Sequence, residues 1–231
     1  MLHLRERLWR SFHDVCKKHC LLEDGDRVLV GLSGGKDSLL LVELLGRQAR
    51  IYVPKIKVTA VHIRVKERNY QSDTSYLERF CNNAGVEYIV RDTCIAGEEK
   101  KDTCFLCSWY RRKALLETAR ETGCNKIALG HNQDDVLHTL LLNMIYEGRF
   151  DTISPALALD KMPITLIRPL WSIKELDIQQ YALFSGYALP PKLCPFEKHS
   201  KRNEMKPLLE QIAQLNPNVR SSLLHALQRK K

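Results

Sequence analysis

Arg27-Val-Leu-Val-Gly-Leu-Ser-Gly-Gly-Lys-Asp-Ser-Leu-Leu-Leu41 runs from a short apolar stretch through a Ser-Gly-Gly-Lys-Asp-Ser turn into an apolar pattern of helical spacing. The pattern predicts a strand, a tight loop and a helix start. Gly34 and Gly35 carry no Cβ, so backbone amides there can approach a ligand closely, and the open N–H groups of a new helix attract anions. A phosphate is the natural occupant. Ser33 and Ser38 add hydroxyl donors, Lys36 adds a positive point charge, and Asp37 offers a carboxylate able to hold magnesium between phosphates. The pattern Gly-x-x-x-x-Gly-Lys-Ser/Thr is not met, because the glycines before Lys36 have the wrong spacing.

Ser33, Gly34, Gly35, Asp37 and Ser38 meet the pattern Ser-Gly-Gly-x-Asp-Ser, and on these residues the loop resembles the PP-loop of ATP pyrophosphatases. The resemblance implies an enzyme that uses ATP to adenylate an oxygen and releases pyrophosphate. It also implies the adenine nucleotide alpha hydrolase-like α/β fold.

Working outward, strands and helices alternate. Ile56 to Ile63 reads as a second buried strand, Val86 to Val90 as a third and Lys126 to Leu129 as a fourth, with helices after Leu39, over 73–84, from Cys104 to Thr122 and after Asp135. That alternation predicts a doubly wound parallel sheet of about five strands. Ile153 to Leu157 and Ile164 to Ile167 are candidate short strands; Glu175 to Ser185 is helical, Pro190 to Pro195 extended, and two helices at about 203–215 and 218–229 finish the chain. Leu4, Leu8, Phe12 and Cys16 mark an amphipathic N-terminal helix over residues 2–20. Cys16 shares that apolar stripe, so core packing is expected of it rather than a zinc site with His13, His19 and Cys20. The expected organisation is an N-terminal helix packed on the core (1–20), an ATP-binding α/β domain (21–186) and a cysteine-bearing loop with C-terminal helices (187–231).

The ligand crevice of an open α/β sheet lies at the carboxyl ends of its strands. His62 ends the second strand, where it either touches adenine or ribose or serves as a satisfied structural histidine. Gly130, His131, Asp134 and Asp135 follow the fourth. The two aspartates can join Asp37 around phosphates and magnesium, cap their helix, or do both.

The chain has 231 residues, enough for a sizeable core, and 36 Lys and Arg against 27 Asp and Glu give a net charge of +9. That balance favours a polyanionic partner such as nucleic acid. No apolar run reaches membrane-span length and the N-terminus does not read as a signal peptide, so a cytoplasmic protein with no membrane partner is expected. Eight scattered cysteines in such a protein suit metal binding or catalysis better than disulfides. Cys104 and Cys107 stand at a helix start near Arg111, Arg112 and Lys113, a setting that favours thiolate. Cys194, in a proline-stiffened loop, is the best-placed third thiol. Three thiolates suit an iron–sulfur cluster with one open iron, or zinc if His199 joins; a redox dithiol and an inert pair are the alternatives.

Ser33 to Ser38, Cys104-x-x-Cys107 followed by Arg111-Arg112, Gly130-His131-x-x-Asp134-Asp135, the Thr139 to Tyr146 run ending at Gly148, Ile167-Arg168-Pro169-Leu170 and Cys194 occur in the order seen in tRNA 2-thiocytidine biosynthesis proteins and related tRNA 2-thiolation enzymes. The resemblance spans roughly residues 22 to 212. It implies a [4Fe-4S] cluster on Cys104, Cys107 and Cys194, and a reaction in which a pyrimidine carbonyl of tRNA is adenylated with ATP and Mg2+ before sulfur displaces AMP. Pro191 departs from the family, whose members often carry an additional cysteine there. On this reading Lys36, Asp37, Asp135 and Cys194 are catalytic, Arg111, Arg112, Arg168 and Lys192, Lys198 and Lys201 are candidates for tRNA phosphate contacts, and sulfur comes from sulfide or a cysteine desulfurase system, with a persulfide on Cys104 or Cys194 the competing route. The sequence leaves monomer and homodimer open.

Overall fold

A computed structural model describes residues 2–51, 53–66, 73–95, 103–189 and 201–229, the side chains of residues 103, 104, 201–203 and 228 excepted. Its elements follow in the order α1 (Leu2–Lys18), β1 (Arg27–Gly31), α2 (Lys36–Ile51), β2 (Lys57–Val65), α3 (Thr74–Ala84), β3 (Glu87–Thr93), α4 (Thr103–Glu121), β4 (Lys126–Ala128), α5 (Gln133–Glu147), β5 (Ala156–Ala158), β6 (Thr165–Ile167), α6 (Glu175–Phe184), α7 (Lys201–Leu215) and α8 (Val219–Arg229).

Val28, Leu29 and Val30 of β1 are fully buried. A parallel strand covered on both faces reads as a continuous apolar run, which is why Arg27 to Leu32 decides the fold. Side chains alternate across the strand: Val28 and Val30 join a core with Phe12, Leu40, Leu77, Val136, Ile178, Leu209 and Leu224, while Leu29 faces Val61, Ile127 and Ala119. The first core draws on every helix except α4, which covers the opposite face. Fully burying a side chain such as Phe12 or Leu39 contributes about 1.5–3 kcal/mol, and α1, α7 and α8 are fixed to the α/β body in this way.

The six strands lie in the order β3-β2-β1-β4-β6-β5. β1 to β4 and β6 run parallel as expected, with Val28 opposite Val58 on one side and Lys126 on the other. β5 differs: it pairs antiparallel with β6, because a turn at Leu159 to Ile164 reverses the chain. Cys16 is buried in the core as expected, and burial pushes its thiol up to about 12, which keeps it protonated and unsuited to a metal. No helix among the described residues is long and apolar enough to cross a membrane. The chain leaves β1 for β2 on one side, whereas β4 lies on the other. The loops after β1 and β4 therefore flank a crevice at the topological switch point, where such sheets bind ligands.

Candidate active site

Leu32 continues the sheet, its N–H donating to Val61 O at 2.9 Å, and the chain then turns. Gly34 takes a φ of +83°, a left-handed conformation that glycine adopts without strain. Ser38 ties the turn to its helix: Ser33 N donates to Ser38 Oγ at 3.2 Å, and Ser38 Oγ donates to Gly35 O at 2.9 Å. Ser33 Oγ lies 3.1 Å from Ser38 Oγ and accepts from Gly35 N at 3.3 Å. The hydroxyls thus brace an anion-binding turn at the N-terminus of α2. Gly130 presses against it from the β4 loop. A Cβ there would stand 3.2 Å from Asp37 C and Ser38 N, a contact that would push the two loops apart by a few tenths of an ångström.

Asn132 joins the loops. Its side-chain oxygen accepts from Asp134 N at 2.9 Å and Asp135 N at 3.3 Å, and Asp135 Oδ2 accepts from Asn132 N at 3.0 Å, a capping box at the start of α5. Asn132 Nδ2 meanwhile donates to Asp37 Oδ1 at 2.9 Å, so Asp37 and Asp135 stand on either side of one amide. Lys36 Nζ bonds Asp37 Oδ2 at 2.9 Å and Glu175 Oε1 at 3.1 Å. Burial pulls the Lys36 ammonium down, but the two carboxylates outweigh it and leave Lys36 raised and cationic. For Glu175, burial acts upward and Lys36 downward, with the net shift below the usual carboxylate range.

Asp134 is tied to the helices around it. Its Oδ2 accepts from Glu175 N at 2.9 Å and its Oδ1 pairs with Arg220 of α8, which also bonds Glu210 Oε1 at 2.7 Å. Both oxygens are engaged in holding α5, α6 and α8 together. Arg168 is 7% exposed, its Nε donating to His131 Nδ1 at 3.3 Å and its NH1 to Ser154 O at 2.6 Å. A guanidinium so enclosed orients His131 instead of meeting tRNA phosphate at the surface.

His62 makes the bond expected of a structural histidine. It is 6% exposed and donates Nδ1–H to Leu32 O at 2.8 Å, which anchors the residue just before the loop. Burial lowers its pKa; the Leu32 bond acts upward and the Arg111 and Arg64 charges downward. The folded chain therefore resists the proton that the unfolded chain accepts near the ordinary 6.5, so stability is full above that value and falls as pH drops below it. We expect the melting temperature of wild type to fall between about pH 6.5 and 5, and the pH slope to flatten in His62→Gln. Thermal unfolding across that range checks this, and the difference between the two proteins separates His62 from His19, also lowered by burial.

Cys107 is buried in the second turn of α4, with Cys104 three positions earlier. Arg111 follows Cys107 at i+4, on the same face of α4, and lies close enough to act on His62. His62 thus stands between the nucleotide loop, which it anchors at Leu32, and the charge of Arg111 on the cysteine helix. Arg112 and Lys113 are exposed. Cys194, Lys192, Lys198 and His199 lie outside the described residues, as do the side chains of Cys104 and Lys201.

Asn132, Glu175 and Arg220 were not among the residues expected from the sequence. Asn132 had a legible signal, an Asn with Asp135 three residues on, the spacing of a capping box. Glu175 and Arg220 had none, since their partners are far away in the chain.

A strand–loop–helix anion cradle at the switch point of a parallel sheet, with a lysine and a carboxylate beside it, defines a nucleotide-phosphate-binding α/β protein. Residues 4–189 match the PP-loop domain family. The tRNA-cytidine(32) 2-sulfurtransferase of Tolumonas auensis is 35% identical over 233 residues, covering 97% of this chain and 76% of its own length. That of Vibrio vulnificus strain YJ016 is 34% identical, covering 97% and 74%. The chain belongs to the PP-loop family and, within it, to the family of these sulfurtransferases. Among solved structures, the U34-tRNA thiolase NcsA from Methanococcus maripaludis with its [4Fe-4S] cluster superposes with a TM-score of 0.79 at 24% identity, over 98% of this chain and 78% of that one. NAD+ synthetase from Burkholderia pseudomallei shares the fold at a TM-score of 0.51 and 13% identity, over 96% and 89%.

Proposed function

We propose that the chain is an ATP-dependent tRNA sulfurtransferase that replaces the 2-carbonyl oxygen of a cytidine, at position 32 as in its named relatives, with sulfur. The observation that carries this reading is similarity at 35% identity to such an enzyme along 97% of the chain, which takes in both the PP-loop and the cysteine helix. The Gly34 amide and the N-terminus of α2 bind the ATP phosphates, with the serine hydroxyls holding the turn in place. Lys36 neutralises charge growing on pyrophosphate, and Asp37 with Asp135 holds the Mg2+ that accompanies ATP. The cytidine O2 attacks the α-phosphorus, the bond to pyrophosphate breaks, and the base is left with AMP on its oxygen. A sulfur nucleophile then attacks C2, and AMP departs with that oxygen. The sulfur arrives as sulfide or from a cysteine desulfurase system, and a tRNA substrate implies work in the cytoplasm.

A [4Fe-4S] cluster suits the donor chemistry of Cys104, Cys107 and Cys194. Cys107 is shielded from water in the second turn of α4, with Cys104 one turn before it. When bound, such a cluster supplies an open iron position for sulfide. α2 and α4 each begin after the carboxyl end of a parallel strand, β1 and β3, so the two half-reactions share one end of the sheet.

Protein purified without oxygen should be brown with about four irons per chain, and with ATP, Mg2+, sulfide and unmodified tRNA it should yield 2-thiocytidine, read by mass spectrometry of digested nucleosides. Pyrophosphate release without any thiolated nucleoside would point to a different PP-loop modification, such as lysidine synthesis, and overturn the sulfur assignment.

A further inference from the structure

Phe105, Trp109, Arg112 and Lys113 fall at i, i+4, i+7 and i+8 along α4 and so share one stripe. Phe105 is 68% exposed and Trp109 47%, with Arg112 and Lys113 exposed beside them, while Cys107, Ala114 and Thr118 are buried. The water-facing stripe of an amphipathic helix is ordinarily polar. Here it carries two large aromatics followed by two cations.

Trp109 has a defined setting. Tyr110 meets its ring edge-on with centroids 4.9 Å apart and planes at 89°, and Lys113 Nζ lies 5.5 Å from its centroid. A half-exposed indole with an ammonium beside it matches single-stranded nucleic acid, in which bases stack on aromatic faces while Lys and Arg meet the phosphates. Single exposed aromatics need no explanation, but two at i,i+4 next to two cations, in a chain of net charge +9, form a surface of stated chemistry. The stripe lies on the same helix as Cys104 and Cys107, with Phe105 and Trp109 each within one turn of the cysteine pair along the chain.

We propose that Phe105 and Trp109 are a stacking platform for unpaired bases next to the target cytidine, with Arg112 and Lys113 on the phosphates between them. The proposal rests on the tRNA reading above and adds the surface that presents the loop to the site. A folded stem with its bases paired offers no face to Trp109, so the platform selects single-stranded loops.

The test is titration of a fluorescently labelled RNA stem-loop carrying the target loop, against wild type, Phe105→Ala, Trp109→Ala, Trp109→Phe and Arg112→Ala. These side chains are exposed, and retained ATP binding checks that each variant folds. Trp109→Ala should weaken loop binding about tenfold, consistent with the loss of one base stack, with the slope of affinity against salt unchanged; Trp109→Phe should recover most of it. Arg112→Ala should instead lower the salt slope by about one, and a fully paired duplex should not distinguish Trp109→Ala from wild type. Loop binding by Trp109→Ala equal to wild type overturns the proposal, the result expected if the stripe docks a protein. Trp109→Phe as weak as Trp109→Ala overturns it as well. If wild type thiolates tRNA while the variants are unaltered, the platform alone fails; if wild type neither binds nor thiolates tRNA, the reading beneath it fails too.

Discussion

Asp37→Asn is expected to lower ATP-dependent adenylation of tRNA by about 10²–10³-fold, the range seen when one preorganised electrostatic contact to a transition state is removed. The change is nearly isosteric. The asparagine oxygen can still accept from Asn132 Nδ2, now 2.9 Å from Asp37 Oδ1, so the contact between the β1 and β4 loops survives. What disappears is the charge. A magnesium ion held there would lose a carboxylate ligand, and Lys36 loses the nearer of its two anions, keeping Glu175 at 3.1 Å. The loss should therefore sit in turnover more than in folding or tRNA affinity. Pyrophosphate release with tRNA present reads the first, and thermal unfolding and RNA titration read the others. Turnover within tenfold of wild type would remove Asp37 from the metal-binding role.

The parts of this site legible in the sequence are those whose chemistry is local. Ser33 to Ser38 could be read because Gly34 and Gly35, the serines and the helix start all lie within one turn, and the structure joins them by hydrogen bonds spanning two to five residues. The strands β1, β2 and β4 could be read because burial on both faces leaves an apolar run. β5 carried no such signal: Ala156, Leu157 and Ala158 are all exposed, so neither its pairing nor its direction was written in its own residues. The same distinction separates the site residues. Glu175 pairs with Lys36 across 139 residues and Arg220 with Asp134 across 86, and no local pattern encodes either contact.

His62 and Arg168 teach a related lesson. A polar residue near the carboxyl end of a strand is well placed for a ligand, yet the same place also needs polar struts, because loops leaving a buried sheet must satisfy their carbonyls. His62 satisfies Leu32 O and Arg168 satisfies Ser154 O. Position along the chain cannot separate these uses; burial does.

Cys107→Ala is expected to separate the two halves of the reaction. Cys107 is 9% exposed and small, so replacing its thiol by a methyl should leave α4 in place; Ala114, seven residues on, is already buried on that side of the helix. ATP binding, which depends on the Ser33–Ser38 turn and Lys36, should be unchanged. Iron content and visible absorption should fall to background, since two of three thiolates cannot hold a cluster with one open iron, and 2-thiocytidine should become undetectable. Cys194→Ala should behave in the same way although it lies 87 positions away in the chain; a matching phenotype from such distant positions has no explanation in local packing. Full thiolation by Cys107→Ala would remove the cysteine pair from sulfur transfer. Loss of ATP binding together with thiolation would mean that Cys107 supports the fold of α4 and, through it, the loop itself.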